Sequence, residues 1–125
     1  MASVSSSDPG GVNYMTSTPI AYGYMRVRNN ASDQELKLLD DQLHAYAEAH
    51  NLWMTYTYYE WGPGISPHLL VRRLIRDDVR HVIVPSLEQI TEHPLMQLLV
   101  SEQIALDGGA LLYETSEIHG RADVR

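Results

Sequence analysis

Four of the nine basic residues, Arg72, Arg73, Arg76 and Arg80, lie in one short stretch, and Arg26 and Arg28 form a second pair upstream. Guanidinium groups grip phosphate oxygens in a bidentate fork, so Arg26, Arg28, Arg72 and Arg76 are candidate contacts for a phosphate, a nucleotide or a nucleic acid. His68, Arg72 and Arg76 recur at helical spacing and share one face. The same pattern also suits a solvated face whose arginines pair with Asp77, Asp78 or a partner subunit and favour a helix C-terminus. A second group is aromatic: Trp53, Tyr56, Tyr58, Tyr59 and Trp61 crowd one segment. Tyr and Trp are enriched where surfaces become buried on association, so this cluster is a candidate interface. Ordinary core packing and a base-stacking platform are the other readings.

Metal chemistry has little to build on. The six histidines include no His-Glu-x-x-His pair and the chain has no Cys, so we expect neither a metal nor another cofactor. Gly62-Pro63-Gly64 lacks the Gly-x-x-x-x-Gly-Lys pattern of a phosphate loop and reads as a turn. Net charge is −7, from 16 acidic and 9 basic residues, one of them lysine. Such a field opposes approach to DNA, and autonomous DNA binding is not expected. The N-terminus has no basic or apolar signal region, and no apolar run approaches the ~20 residues needed to span a bilayer. A cytoplasmic protein fits both.

These side chains must be held by a small set of elements. Ile20 to Val27 reads as a strand with Ile20, Tyr22, Tyr24 and Arg26 on one face. Ala21 and Gly23 on the other face predict close approach of a helix or loop. Ser32-Asp33-Gln34-Glu35 is a capping box, and Leu36, Leu39, Leu43, Tyr46 and Ala47 follow at helical spacing, with a stop near Asn51. Trp53 to Trp61 reads as a strand broken by the Gly62–Gly64 turn. Ser66-Pro67 should cap and open a second helix that buries Leu70, Val71, Leu74 and Ile75 and ends near Asp78. His81 to Val84 is a short buried strand, and Ser86 to Gln89 a helical turn with a capping-box pattern. A third helix from Pro94 to Asp107 carries Leu95, Leu98, Leu99 and Ile104. Ala110 to Tyr113 is a last strand. Alternating strands and helices predict a three-layer α/β domain with a mainly parallel sheet flanked by helices. Residues 1–18 and 115–125 read as tails around a domain at 19–114, the first of them disordered.

The opening strand, with Tyr24, Arg26 and Val27 in register, resembles the Tyr-x-Arg-Val-Ser strand of the serine recombinase (resolvase/invertase) catalytic domain. Gln42-Leu43 in the first helix, Tyr59-Glu60 before the glycine turn and Asp78 to Val84 resemble further pieces of that family in the expected order. The resemblance implies the resolvase-catalytic-domain fold and a cleft for phosphodiester chemistry. It also implies what is missing. Arg28 stands where the family keeps its nucleophilic serine. The segment Leu87-Glu88-Gln89-Ile90-Thr91-Glu92 stands where the family reads Leu-Asp-Arg-Leu-x-Arg, so Gln89 and Glu92 replace two phosphate-binding arginines. A carboxylate there repels the charge that builds up on phosphoryl transfer. The segment from Thr115 to Arg125 is expected to be too short for the family's long helix and DNA-binding module. Tyr24, Arg26, Arg28, Glu60, Glu88, Gln89 and Glu92 therefore mark a degenerate site with no catalytic residue.

The expectation is a bacterial, cytoplasmic pseudoenzyme. It would serve protein interaction or regulation as a homo-oligomer, or with another protein. The alternative is an accessory DNA- or nucleotide-phosphate-binding protein using the arginine-rich helix with Arg26 and Arg28.

Overall fold

The computed structural model describes residues 18–116; the two tail assignments lie almost wholly outside them. Four strands, β1 (Ile20–Val27), β2 (Trp53–Trp61), β3 (His81–Val84) and β4 (Leu111–Glu114), form one sheet in the order β2-β1-β3-β4. Every pairing is parallel. The helices are α1 (Asp33–Ala49), α2 (Pro67–Asp77), the single turn α3 (Leu87–Ile90) and α4 (Pro94–Glu102).

Strand β1 lies at the centre and is buried from Ala21 onward. Its alternation divides the core in two. Ala21 and Met25 pack with Leu43 and Ala47 of α1, while Tyr22 and Tyr24 pack with Leu70 and Leu74 of α2 and with Val100 and Ile104 beyond them. Each fully buried aliphatic side chain contributes about 1.5–3 kcal/mol. The three-layer, parallel architecture expected from the sequence is the observed one. Gly23 meets α1 as its size predicted: a Cβ there would lie 3.0 Å from Leu43 Cδ1 and 2.9 Å from Thr57 Oγ1.

The two long helices end alike. Asn51 and Asp78 adopt the left-handed conformation at φ 57° and 56°. Leu52 N–H then reaches the Ala47 carbonyl at 2.8 Å, and Val79 N–H the Leu74 carbonyl at 2.9 Å. This six-to-one closure satisfies the last carbonyls and tucks Leu52 and Val79 into the core.

Several sequence expectations need correction. The helix predicted from Pro94 to Asp107 is α-helical only to Glu102 and continues as a π-turn over Gln103–Asp107. Leu95, Leu98 and Leu99 are exposed; of the four expected apolar positions only Ile104 is buried, and Val100 joins it in the core. Ile75 is 60% exposed, because Leu70, Val71 and Leu74 already fill the inward face of α2. Ser66 precedes α2 but does not cap it with its side chain. The last strand begins at Leu111, one residue later than predicted.

Candidate functional site

A cleft of about 540 Å³ opens at the carboxyl ends of the strands. It is lined by Arg26, Arg28 and Asn30 from the end of β1, Gly62 after β2, and Thr91 and Glu92 beyond β3. Strand order reverses at β1, where the chain first steps to β2 and then crosses back to β3. Crevices at such reversals are the usual ligand positions in parallel α/β sheets.

Beneath the cleft is a buried polar network. Glu60, 3% exposed, accepts from the Tyr24 hydroxyl at 2.8 Å, from Ser66 N–H at 2.7 Å and from the Ser66 hydroxyl at 3.1 Å. The Ser66 hydroxyl also lies 3.1 Å from Tyr58 Oη. The carboxylate thus takes both the main-chain and side-chain donors of Ser66. Burial first, and then the neighbouring carboxylate, pushes the Tyr24 phenol far above its ordinary range. Tyr24 is a fixed proton donor, and ionising it would place two negative charges together.

Arg26 pairs across the ladder with Glu60. Its guanidinium is spread over main-chain oxygens: Nε donates to Ile90 at 2.6 Å, Nη1 to Gly62 at 2.6 Å and Nη2 to Gly64 at 3.2 Å. With 7% exposure, it clamps the turn after β2 to the segment after β3. Arg28 is exposed, and its Nη2 donates to the carbonyls of Gln89 at 3.0 Å and Glu88 at 3.4 Å. The Glu88 and Glu92 side chains are exposed. Gln89 turns inward: its side-chain amide bonds both polar groups of the Arg26 main chain. The capping-box expectation is met only from the serine side, with Ser86 Oγ accepting from Gln89 N–H at 3.0 Å.

The structure therefore gathers Arg26, Arg28, Gln89 and Glu92 at one end of the sheet, above Tyr24 and Glu60. Arg72 and Arg76 are elsewhere. Helix α2 joins the end of β2 to the start of the parallel β3, so it runs against the strands and Arg76 lies at the opposite end from Arg28. Arg76 pairs with Asp77 at 2.9 Å, and Arg73 stacks 4.4 Å above the Tyr56 ring. Asp77 also accepts from the Tyr22 hydroxyl. The Arg76 and Tyr22 hydrogen bonds pull its pKa down to about 2.

The aromatic cluster is split. Register slips between Ala21 and Tyr22, where Met54 and then Tyr56 are the partners. This bulge at Thr55 leaves Trp53 and Tyr56 on the α2 side, with Tyr59 and Trp61 on the α1 side. Tyr56 packs edge-on against Tyr22 and Tyr58 lies against Tyr24, as ordinary core. Trp53, Tyr59 and Trp61 are exposed on an edge strand. Ser66, Thr91 and Asn30 are site residues that the sequence did not single out. Ser66 was legible as a helix start, but nothing in its spacing announced the carboxylate that takes it.

No protein-family model matches the chain, and no curated protein does by sequence. Solved structures do match. The N-terminal catalytic domain of TP901-1 integrase superposes with a TM-score of 0.62 at 20% identity over 78% of each chain. The C-terminal catalytic domain of ISC1926 TnpA, an IS607-like serine recombinase, gives 0.62 at 16% identity, covering 82% of this chain and 77% of that one. A resolvase family site-specific recombinase from Streptococcus pneumoniae gives 0.61 at 21% identity, covering 79% and 73%. The chain has the fold of serine recombinase catalytic domains. Among the described residues no helix is long and apolar enough to cross a membrane, and no His, Asp or Glu cluster could hold a metal.

Proposed function

We propose that this chain is a serine-recombinase-like domain that does not cut DNA and works in the bacterial cytoplasm as a self-associating protein-interaction or regulatory module. One observation supports the reading: Arg28, which the motif resemblance aligns with the family's serine, lies at the mouth of the cleft and is held on the carbonyls of Glu88 and Gln89. Arg28 itself offers no hydroxyl to attack phosphorus. Arg26 is committed to three further carbonyls, and the motif resemblance aligns Gln89 and Glu92 with the family's phosphate-binding arginines. Losing one member of such a concerted set already costs orders of magnitude in rate.

The test is incubation of the full chain with double-stranded DNA, followed by denaturing electrophoresis, together with light scattering across concentration. We expect no protein–DNA adduct and a mass that rises with concentration. A covalent adduct would refute the non-cutting reading, and a strictly monomeric protein would refute self-association.

A second reading rests on the exposed Arg28 in a polar cleft: an accessory protein for DNA or nucleotide phosphate. Arg72 and Arg76 add little to one shared contact, because they lie on α2, which runs away from the cleft end of the sheet. Fluorescence anisotropy with labelled DNA at low salt separates the two readings. Binding that falls steeply with salt and is lost in Arg28→Ala favours the second.

A further inference from the structure

Strand β2 forms one edge of the sheet, and its outer side is open. Among the described residues it pairs with β1 alone, so alternate N–H and C=O groups point away from the sheet without a ladder partner. Proteins usually blunt such an edge with Lys or Pro. Beyond the bulge, Tyr56 to Trp61 runs in regular register with β1 and carries neither. Its one charge, Glu60, is turned into the core and taken by Tyr24 and Ser66.

The two flanks of this edge differ in charge. On the α2 side, the Arg73 guanidinium lies 4.4 Å above the Tyr56 ring, and Arg76, one turn on, also acts electrostatically on Tyr56. Neither Arg72 nor Arg73 forms an ion pair among the described residues. The carboxylates at that end of α2 are already engaged, Asp77 by Arg76 and Tyr22 and Asp78 by Arg80. On the α1 side the sign is opposite. Asp40 acts on Tyr59 there, while its neighbour Asp41 is held by Lys37. Tyr59 and Trp61 stand exposed on that flank.

Side chains of a strand alternate between faces, so an added strand meets arginines on one side and exposed rings beside a carboxylate on the other. Acidic residues complement the first face, and uncharged apolar residues the second. A second copy of β2 does not fit, because its only carboxylate is buried. Nucleic acid offers anions but no peptide groups for the open ladder, and the net charge of −7 opposes it.

We propose that β2 receives an extended segment of a partner protein as an added strand, its acidic side chains facing Arg73 and Arg76 and its apolar ones facing Tyr59 and Trp61. The inference rests on the protein-interaction reading above and names the surface and the partner's chemistry.

The experiment follows the anisotropy of a labelled short peptide of alternating Glu and Val, titrated with the full chain. The comparison probes are a Lys-for-Glu peptide, Glu–Val peptides N-methylated on either set of alternate amides, and labelled duplex DNA. We expect the Glu–Val peptide to bind, the Lys–Val peptide not to, and one of the two N-methylated peptides to lose binding. Arg73→Glu should weaken the Glu–Val peptide roughly tenfold or more and admit the Lys–Val peptide, with Arg73→Ala between. Thermal melts verify that both variants fold. No binding of the Glu–Val peptide at high micromolar chain overturns the proposal. So does binding that survives both methylated sets, since charge alone then explains it. DNA binding that is lost in Arg73→Glu, without peptide binding, overturns it in favour of a phosphate contact. If the peptide fails while mass still rises with concentration, the edge is refuted and the self-association reading stands. A strictly monomeric chain that takes the peptide refutes self-association and upholds the edge.

Discussion

Gln89 bridges the main chain of Arg26 at two points, accepting from its N–H at 2.9 Å through Oε1 and donating to its carbonyl at 2.7 Å through Nε2. The β1–β3 ladder pairs Tyr22 with Val82 and Gly23 with Ile83. Farther along β1, the Gln89 amide serves Arg26 as a neighbouring strand would. An arginine could donate to the carbonyl but could not accept from the N–H. Gln89→Leu should thus cost about 2–4 kcal/mol, the toll of leaving two peptide groups without partners. Urea denaturation measures it, and Gln89→Glu, which keeps the acceptor only, should fall between the two.

Glu60 is the hub of the buried network, so its loss should exceed that of any one donor. Tyr24→Phe removes one hydrogen bond and should cost about 1 kcal/mol, whereas Glu60→Leu strands the Tyr24 hydroxyl and Ser66 N–H and should cost about 3 kcal/mol or more. Equal losses from the two variants, measured by thermal unfolding, would show that Ser66 finds other acceptors.

Asp77 gives a pH signature. Its folded pKa, near 2, lies below the ordinary 3.8, so its carboxylate stabilises the fold fully above about pH 5. That contribution fades as pH falls toward 2. The stability gap between wild type and Asp77→Asn should therefore be constant near neutrality and shrink between about pH 5 and pH 2. A gap that widens on acidification would mean the Arg76 and Tyr22 contacts do not hold in solution.

Gly23 is where β1 touches α1. Gly23→Val should force Leu43 and Thr57 aside and cost about 1–3 kcal/mol by overpacking. Leu43→Ala, which opens space at the same contact, should cost about 2–5 kcal/mol. Placing Leu43→Ala in the Gly23→Val background should recover part of the loss. Simple additivity of the two would show that they do not share the site.

Arg28→Ser places a serine hydroxyl at the mouth of the cleft. We expect no covalent DNA adduct from this variant, because Arg26 stays bound to three carbonyls and Glu92 still lines the cleft. Denaturing electrophoresis with labelled DNA checks it, and an adduct would show that the serine alone was missing.

Strand periodicity, the Ser32–Glu35 capping box and the glycine turn made the layers and the helix boundaries legible, because each is a local pattern. The fate of Leu95, Leu98 and Ile75 was not, since apolar spacing says a residue is apolar on a helix and not which face finds the sheet. The site divides similarly. A known motif singled out Arg28, Gln89 and Glu92, and the structure brings them to one end of the sheet. The Arg26 clamp could not, as its carbonyl partners come from Gly62, Gly64 and Ile90, distant in sequence and without side-chain identity. The bulge at Thr55 was equally hidden, because one slipped residue leaves no mark on alternation in so aromatic a strand.

That slip has a practical consequence. The two indoles of this chain stand on opposite layers, Trp53 toward α2 and Trp61 toward α1 beside the cleft turn, and both meet solvent. Emission from a Trp53→Phe variant therefore reports events near the cleft mouth, and emission from Trp61→Phe reports those on the far layer. The protein carries two separable optical probes, one for each side of its sheet.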